Sequence, residues 1–293
     1  MPPPSSTKLA VVVADSKGFY DLLSNNADLG PGHIVGVQGA TGTGRSTFIH
    51  GMPDPILYIN TDLNTKHAKK FHPNKKVAYV NLPLLVREES VVNDRRTLYA
   101  TLMTVWNAFL SNKPFIGPDP QTGEVVEAPF ASITWDLFTG LWDFIYPLKV
   151  DEALGKKSAA AQAKGVGPLD FKTSNEWMWG LKDAQKKFRP ETTMAFILGE
   201  EVEYVPDPSN PSFRIPDPQG RVKPNGWKNT MTCCDAYIRL FRKTKAPDRE
   251  GQEKRNVRYG ELLKFTPNER LVTSTPPIAE PTWADLEEMF RDA

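Results

Sequence analysis

HIVGVQGATGTGRSTFIHG, residues 33–51, is the stretch from which the fold can be read. Its opening residues His33–Gln38 form an apolar run of the length expected for a buried strand. Gly39-Ala40-Thr41-Gly42-Thr43-Gly44-Arg45-Ser46-Thr47 follows at once. This matches the phosphate-loop pattern G-x-x-x-x-G-K-[S/T], except that Arg45 stands where lysine is usual. In such a loop the glycines let backbone N–H groups curl around phosphate oxygens, with a helix N-terminus behind them. The helix predicted over Ser46–His50 is short, because Gly51 and Pro53 stop it. The competing reading is a glycine-rich strand–helix turn that holds no ligand.

Outward from the loop, Ile56–Asn60 (ILYIN), Val77–Asn81 (VAYVN), Ala131–Asp136 (ASITWD) and Met194–Gly199 (MAFILG) read as further strands. Ala236–Phe241 and Arg258–Phe265 read as late, alternating strands. Arg95–Leu110 has helical spacing, with Leu98, Leu102, Val105, Trp106 and Phe109 on one face. Asn175–Phe188 is a second helix with Ser174 as its cap and Trp177 and Leu181 facing inward, and Thr282–Phe290 is a capped amphipathic helix. Before the loop lie a tail at 1–7, a short strand at Leu9–Ala14 and a short helix at Gly18–Leu23. The Ala-, Gly-, Lys- and Gln-rich stretch from Lys149 to Asp170 reads as a mobile insertion or frayed helix. Glu200–Asn229, rich in proline, reads as a long excursion with a hairpin around Arg214–Val222. Strands alternating with helices, most of them apolar throughout, predict an α/β sheet covered on both faces. The expected organisation is a tail with a small strand/helix element at 1–30, a core at 31–275 with its insertion near 150–170, and an acidic helix at 276–293.

The 293 residues are 40% hydrophobic, 24% charged and 10% aromatic, globular values that exclude a mostly disordered or collagen-like chain. The net charge of +1 provides no global pull toward nucleic acid or membrane, so such a partner needs a local patch. No apolar run approaches the roughly 18–20 residues that span a bilayer, and the N-terminus lacks a secretory pattern. The only cysteines, Cys233 and Cys234, are neighbours and would close no useful loop, which fits a reducing, cytoplasmic setting.

Several carboxylates are placed for phosphoryl chemistry. Asp136 ends a strand and can hold a magnesium-bound water while Ser46 offers its hydroxyl to the metal; its bland alternative is a helix cap. Asp62, after the second strand, and Glu200 or Glu201, after MAFILG, are candidates to orient an attacking water or sense the γ-phosphate. Their bland alternative is a solvated loop carboxylate. Arg45 bears on mechanism. Lysine delivers a compact charge between β- and γ-phosphates, whereas arginine is longer, planar and forked. Nucleotide binding tolerates that change better than fast hydrolysis does.

The order of elements resembles the phage-type P-loop ATPases with a RecA-like core, which include single-strand annealing and recombination proteins. The resemblance rests on GATGTGRSTFIHGMPDPILYINTD (39–62), SITWDLFTGLW (132–142) and NEWMWGLKDAQKKFRPETTMAFILGEE (175–201), and runs over about residues 31–272. It implies a RecA-like P-loop NTPase fold: a mostly parallel central sheet, helices on both faces and late antiparallel strands. It also implies ATP and Mg2+ as cofactors, and nucleotide-dependent action on single-stranded DNA by a homo-oligomeric ring or filament in the cytoplasm of a host cell. Arg45, Asp62 where glutamate is commoner, and the insertion depart from the pattern.

Two basic clusters are candidate nucleic-acid contacts. Residues 66–76 hold Lys66, Lys69, Lys70, Lys75 and Lys76 with no acid; residues 239–258 hold eight basic residues, Arg242 and Lys243 among them, against three acids. Neutralising phosphates releases counterions, so binding there would be salt-sensitive. Tyr204, Phe213 and Trp227 are candidates for base stacking. Solvated surface is the plain alternative for both clusters. A basic residue in 249–258 is also a candidate to reach a neighbouring subunit's γ-phosphate, and the acidic terminal helix a candidate to dock on a basic patch. Three functions stand: a slowly hydrolysing ATPase acting on DNA, a nucleotide-binding structural or regulatory module with little turnover, and a small-molecule kinase.

Overall fold

The computed structural model describes residues 32–61, 70, 72–82, 91–156, 170–245 and 255–293. The expectations for 1–30, Asp62, Lys66, Lys69, Arg249 and Lys254, and for 157–169 of the insertion, lie outside those residues.

In chain order the elements begin with β1 (Ile34–Gly39), α1 (Arg45–Ile49), β2 (Ile56–Asn60), β3 (Val77–Asn81) and α2 (Val91–Leu110). Next come β4 (Phe115–Pro118), β5 (Val125–Ala128), β6 (Ser132–Asp136), α3 (Phe138–Gly155), α4 (Asp170–Phe188) and β7 (Thr193–Val202). The remainder are β8 (Tyr204–Pro206), β9 (Arg214–Pro216), β10 (Val222–Asn225), α5 (Thr230–Cys233), β11 (Ala236–Lys245), β12 (Arg255–Phe265), α6 (Arg270–Ser274), β13 (Ile278–Ala279) and α7 (Trp283–Asp292).

One sheet runs β13-β12-β11-β1-β7-β6-β2-β3, with β10 paired to the far end of β7. From β11 to β3 every pair is parallel; β12 and β13 add on antiparallel to their neighbours. Residues of β1, β2 and β6 are buried along their whole length, as a doubly covered parallel sheet requires.

Alternation along the strands sorts two cores. Ile34, Phe196, Leu198, Ile133, Trp135 and Tyr237 face one layer, packed with Leu102 and Trp106 of α2, Phe138 and Leu141 of α3, and Met178 and Leu181 of α4. Val35, Val37, Ile197, Tyr58 and Leu240 face the other, packed with Phe48 and Ile49 of α1 and Trp283 and Leu286 of α7. The acidic terminal helix thus docks on its own chain through an apolar face. Thr282 and Asp285 form a capping box at its start, as its sequence predicts.

Several boundaries differ from the sequence expectations. Residues 149–155 belong to α3 rather than to a mobile insertion, and Lys149 is held there by Glu152 at 3.0 Å and by the Tyr99 ring. Gly140 and Pro147 punctuate this helix, and burial of Phe138, Leu141, Ile145 and Leu148 overrides them. Helix α4 starts at Asp170, so Ser174 is not its cap but lies inside it, donating to the Tyr146 carbonyl. Strand β7 runs on to Val202, because β10 pairs with its end. The excursion after it contains not one hairpin at 214–222 but a β8–β9 pair and β10. Cys233 and Cys234 are free and buried. No described helix is long and apolar enough to cross a membrane.

Candidate functional site

The loop leaves the sheet at Gly39, at the carboxyl edge of the parallel strands. Ala40, Thr41 and Gly42 form its exposed tip, and the Thr43 amide and hydroxyl both donate to the Ala40 carbonyl, at 3.2 and 2.8 Å. Gly44 has φ +87°, a left-handed conformation that L side chains rarely adopt. Its carbonyl accepts the Phe48 amide at 2.9 Å and starts α1.

Asp136, at the end of β6, is brought to this loop. Its Oδ2 accepts the Ser46 hydroxyl at 2.9 Å and the Tyr58 hydroxyl, and the residue is only 6% exposed. The peptide that follows, Asp136–Leu137, is cis. Burial, with the Asp136 carboxylate beside it, pushes the Tyr58 phenol well above its ordinary range, so it stays a donor. Behind it lies fully buried His50. The His50 Nδ1–H donates to the Ser46 carbonyl at 2.6 Å, which leaves Nε2 to accept from the Tyr79 hydroxyl at 2.8 Å. Burial lowers the His50 pKa to about 4, so the ring is neutral at pH 7. His72 reaches the Thr47 carbonyl at 2.9 Å. The sequence reading missed Tyr58 and His50. An apolar strand with one phenol gives no signal of the carboxylate it meets.

Arg45 turns toward β7, where its Nη1 donates to the Leu198 carbonyl at 2.5 Å. Glu200 lies inside β7, not in a loop after it. It accepts from Gln38 of β1 at 3.1 Å and from Arg239 of β11 at 2.8 Å. Glu201 pairs instead with Lys223 of β10 at 3.1 Å. Gly39, Ser46, Asp136 and Glu200 therefore share the carboxyl edge. Among the described residues no three His, Cys, Asp or Glu side chains gather to hold a metal by themselves.

The basic clusters are less uniform than their sequences. Lys75 donates to the Met52 carbonyl and pairs with Asp54 at 3.8 Å, and Lys76 pairs with Asp119 at 3.0 Å, while Lys70 is exposed. In the other cluster Arg239 is engaged by Glu200, whereas Arg242 and Lys243 are exposed. They lie past Leu240, which is paired with Gly39, so β11 carries them beyond the loop's row. Tyr204 and Phe213 are exposed, but Trp227 is buried and donates to Asn175 at 2.7 Å, which removes it as a stacking surface.

Counted in sheet strands, β7 lies between the loop strand and the Asp136 strand, β2 and then β3 follow β6 to the edge, and antiparallel β12 lies on the opposite side. The fold is thus a mostly parallel α/β sheet covered by helices on both faces, with late antiparallel strands. No family model matches the chain, and no curated protein matches it. Among solved structures it is similar to the flagellar accessory protein FlaH from Methanocaldococcus jannaschii, at 12% identity and a TM-score of 0.38 over 90% of this chain and 92% of that one.

Proposed function

We propose that this chain binds ATP with Mg2+ on the loop Gly39–Thr47 and hydrolyses it slowly. The observation that carries this reading is the Ser46–Asp136 hydrogen bond, 2.9 Å long, beside a glycine loop at the carboxyl edge of a parallel sheet. Ser46 would bind the metal directly, and Asp136, its Oδ2 held by Tyr58, would hold a metal-bound water. The metal, when bound, neutralises charge on the phosphate oxygens. Thr47 and the backbone from Ala40 to Arg45 would line the phosphates. Glu200 would orient the attacking water after exchanging its contacts with Gln38 and Arg239, and Asp62 is kept as a second candidate for that role.

The finer part of the proposal is action on single-stranded DNA as a homo-oligomer, in the manner the phage ATPase resemblance implies. Exposed Lys70, Arg242 and Lys243, with Lys69 beside Lys70 in sequence, would bind phosphates, and Tyr204 and Phe213 would stack on bases. Turnover measured with and without single-stranded DNA, alongside DNA affinity over a salt series, tests it. Stimulated turnover, and affinity that falls steeply with salt and on charge reversal of Arg242 and Lys243, is expected. Affinity that is absent or flat with salt removes DNA from the function.

One observation favours a second reading, a nucleotide-binding module with little turnover. The Arg45 guanidinium is directed to the Leu198 carbonyl, where a lysine in its place would offer its charge to the β- and γ-phosphates.

A further inference from the structure

Arg258 stands opposite Arg242 in the β11–β12 ladder. Strand alternation puts both on the face that carries Ile238 and Leu240, hence α1 and the glycine loop. The Arg258 guanidinium lies directly on the loop: a Cβ built on Gly44 would be 2.7 Å from Arg258 Nη1 and 3.3 Å from its Cδ. The contact is within one chain, not across to a neighbouring subunit.

The surroundings of this guanidinium satisfy only part of it. Nη2 donates to the Pro281 carbonyl at 3.1 Å, and Nε is 3.5 Å from a Glu280 carboxylate oxygen. That Nε is buried and has no hydrogen bond, and Nη1, the nitrogen nearest the loop, has none among the described residues. Glu280 is itself largely exposed, at 61%, and so a weak counter-charge. Like charges placed directly opposite across a ladder are unfavourable unless something negative joins them. A guanidinium with two unspent nitrogens, Nε and Nη1, and a glycine loop at contact distance form a site for a phosphate group.

We propose that Arg258 is a second phosphate-binding element of the nucleotide site, supplied in cis by the antiparallel strand. It rests on the reading of the 39–47 loop as a nucleotide site. Arg45 is drawn aside to Leu198, and Arg258 brings a forked cation to the same loop from the opposite side, at Gly44. A guanidinium also binds phosphate oxygens in pairs, which a lysine cannot do.

The test is equilibrium binding of a fluorescent ATP analogue in millimolar magnesium to wild type, Arg258→Ala, Arg258→Lys and Glu280→Gln, with inorganic tripolyphosphate as competitor. Arg258→Ala should weaken both the analogue and tripolyphosphate by about 10- to 100-fold, the range of a hydrogen bond to a charged group. Arg258→Lys should recover part of that loss, and Glu280→Gln should bind equally or more tightly. If Arg258 only anchors the segment around Glu280 and Pro281, Arg258→Ala will lower the melting temperature and leave both affinities unchanged, which overturns the proposal. A loss confined to the analogue, with tripolyphosphate unaffected, overturns it as well. So does a loss seen only for single-stranded DNA, whose phosphates would then be the ligand. Wild type that binds no nucleotide sinks the underlying reading; wild type that binds while Arg258→Ala binds equally sinks only this one. Should the alanine variant misfold, phenylglyoxal modification of wild type decides: MgATP should protect Arg258, and an unchanged rate refutes its contact with the ligand.

Discussion

Tyr58→Phe removes one oxygen from the centre of the candidate site and little else. The ring keeps its neighbours, His50 at 4.7 Å and Tyr79 at 5.4 Å between centroids, so packing is conserved. What is lost is the hydrogen bond to Asp136 Oδ2 and the Tyr58 contact with the Ser46 hydroxyl, leaving that oxygen with Ser46. A hydrogen bond to a charged group contributes about 1.5–3 kcal/mol. Ser46 remains, so the lower half of that range, about 1.5–2 kcal/mol, is the expected loss of unfolding free energy in urea at pH 7. The chemical consequence is more specific. A carboxylate freed to turn is a poorer holder of a metal-bound water, so the magnesium concentration needed for half-maximal nucleotide binding should rise by about tenfold, the factor for 1.4 kcal/mol. Affinity measured in excess chelator should stay the same, because the backbone loop is untouched. The assays are a urea titration and a magnesium titration of nucleotide binding. Unchanged stability together with an unchanged magnesium requirement would refute the assignment of Tyr58 as the residue that holds Asp136.

Acid should weaken the fold through His50. Its pKa is lowered from 6.5 to about 4, so the unfolded chain takes up the proton first and stability falls as pH drops through that window. Between pH 7 and 5 the loss is about 2 kcal/mol, and His50→Gln should remove most of that slope. Gly44→Ala should weaken nucleotide binding by about 5- to 30-fold, since φ +87° costs an L residue about 1–2 kcal/mol and the new methyl at 2.7 Å displaces Arg258 Nη1; unchanged affinity in a binding titration would contradict the loop geometry. Arg45→Lys should leave turnover equal or faster, and a variant that binds nucleotide yet loses all activity would show arginine to be a specialised part of the mechanism.

How far the sequence carries the structure follows from which signals are local. The loop was legible because glycines at fixed spacing have few other uses, and β1, β2, β6 and β7 because fully covered strands are apolar on both faces. Helix α7 was legible from Thr282 and its amphipathic run. Helix α3 was not, since Gly140 and Pro147 argue locally against it and only burial between sheet and α4 decides for it. The hairpin of β4 and β5 escaped because its strands are short and largely exposed. In the site, Ser46 and Asp136 were both named from their strand-end and loop positions. Tyr58 and His50 were not, because Tyr58 meets Asp136 and His50 meets Tyr79 only across the fold, and Arg258, within the 249–258 stretch expected to reach a neighbouring subunit's phosphate, lies instead on the loop of its own chain. Trp227 was misplaced for the same reason: a loop position suggests exposure, and Asn175 of α4 and the Trp179 ring enclose it.

Isothermal calorimetry of ATP binding, with and without millimolar magnesium, on wild type and Asp136→Asn tests the central claim most directly. The account predicts binding by wild type that tightens with magnesium, and by Asp136→Asn that has lost most of that tightening while retaining magnesium-free affinity. A wild-type protein that binds no ATP, or binds it with no response to magnesium, would contradict the site built from the 39–47 loop, Ser46 and Asp136.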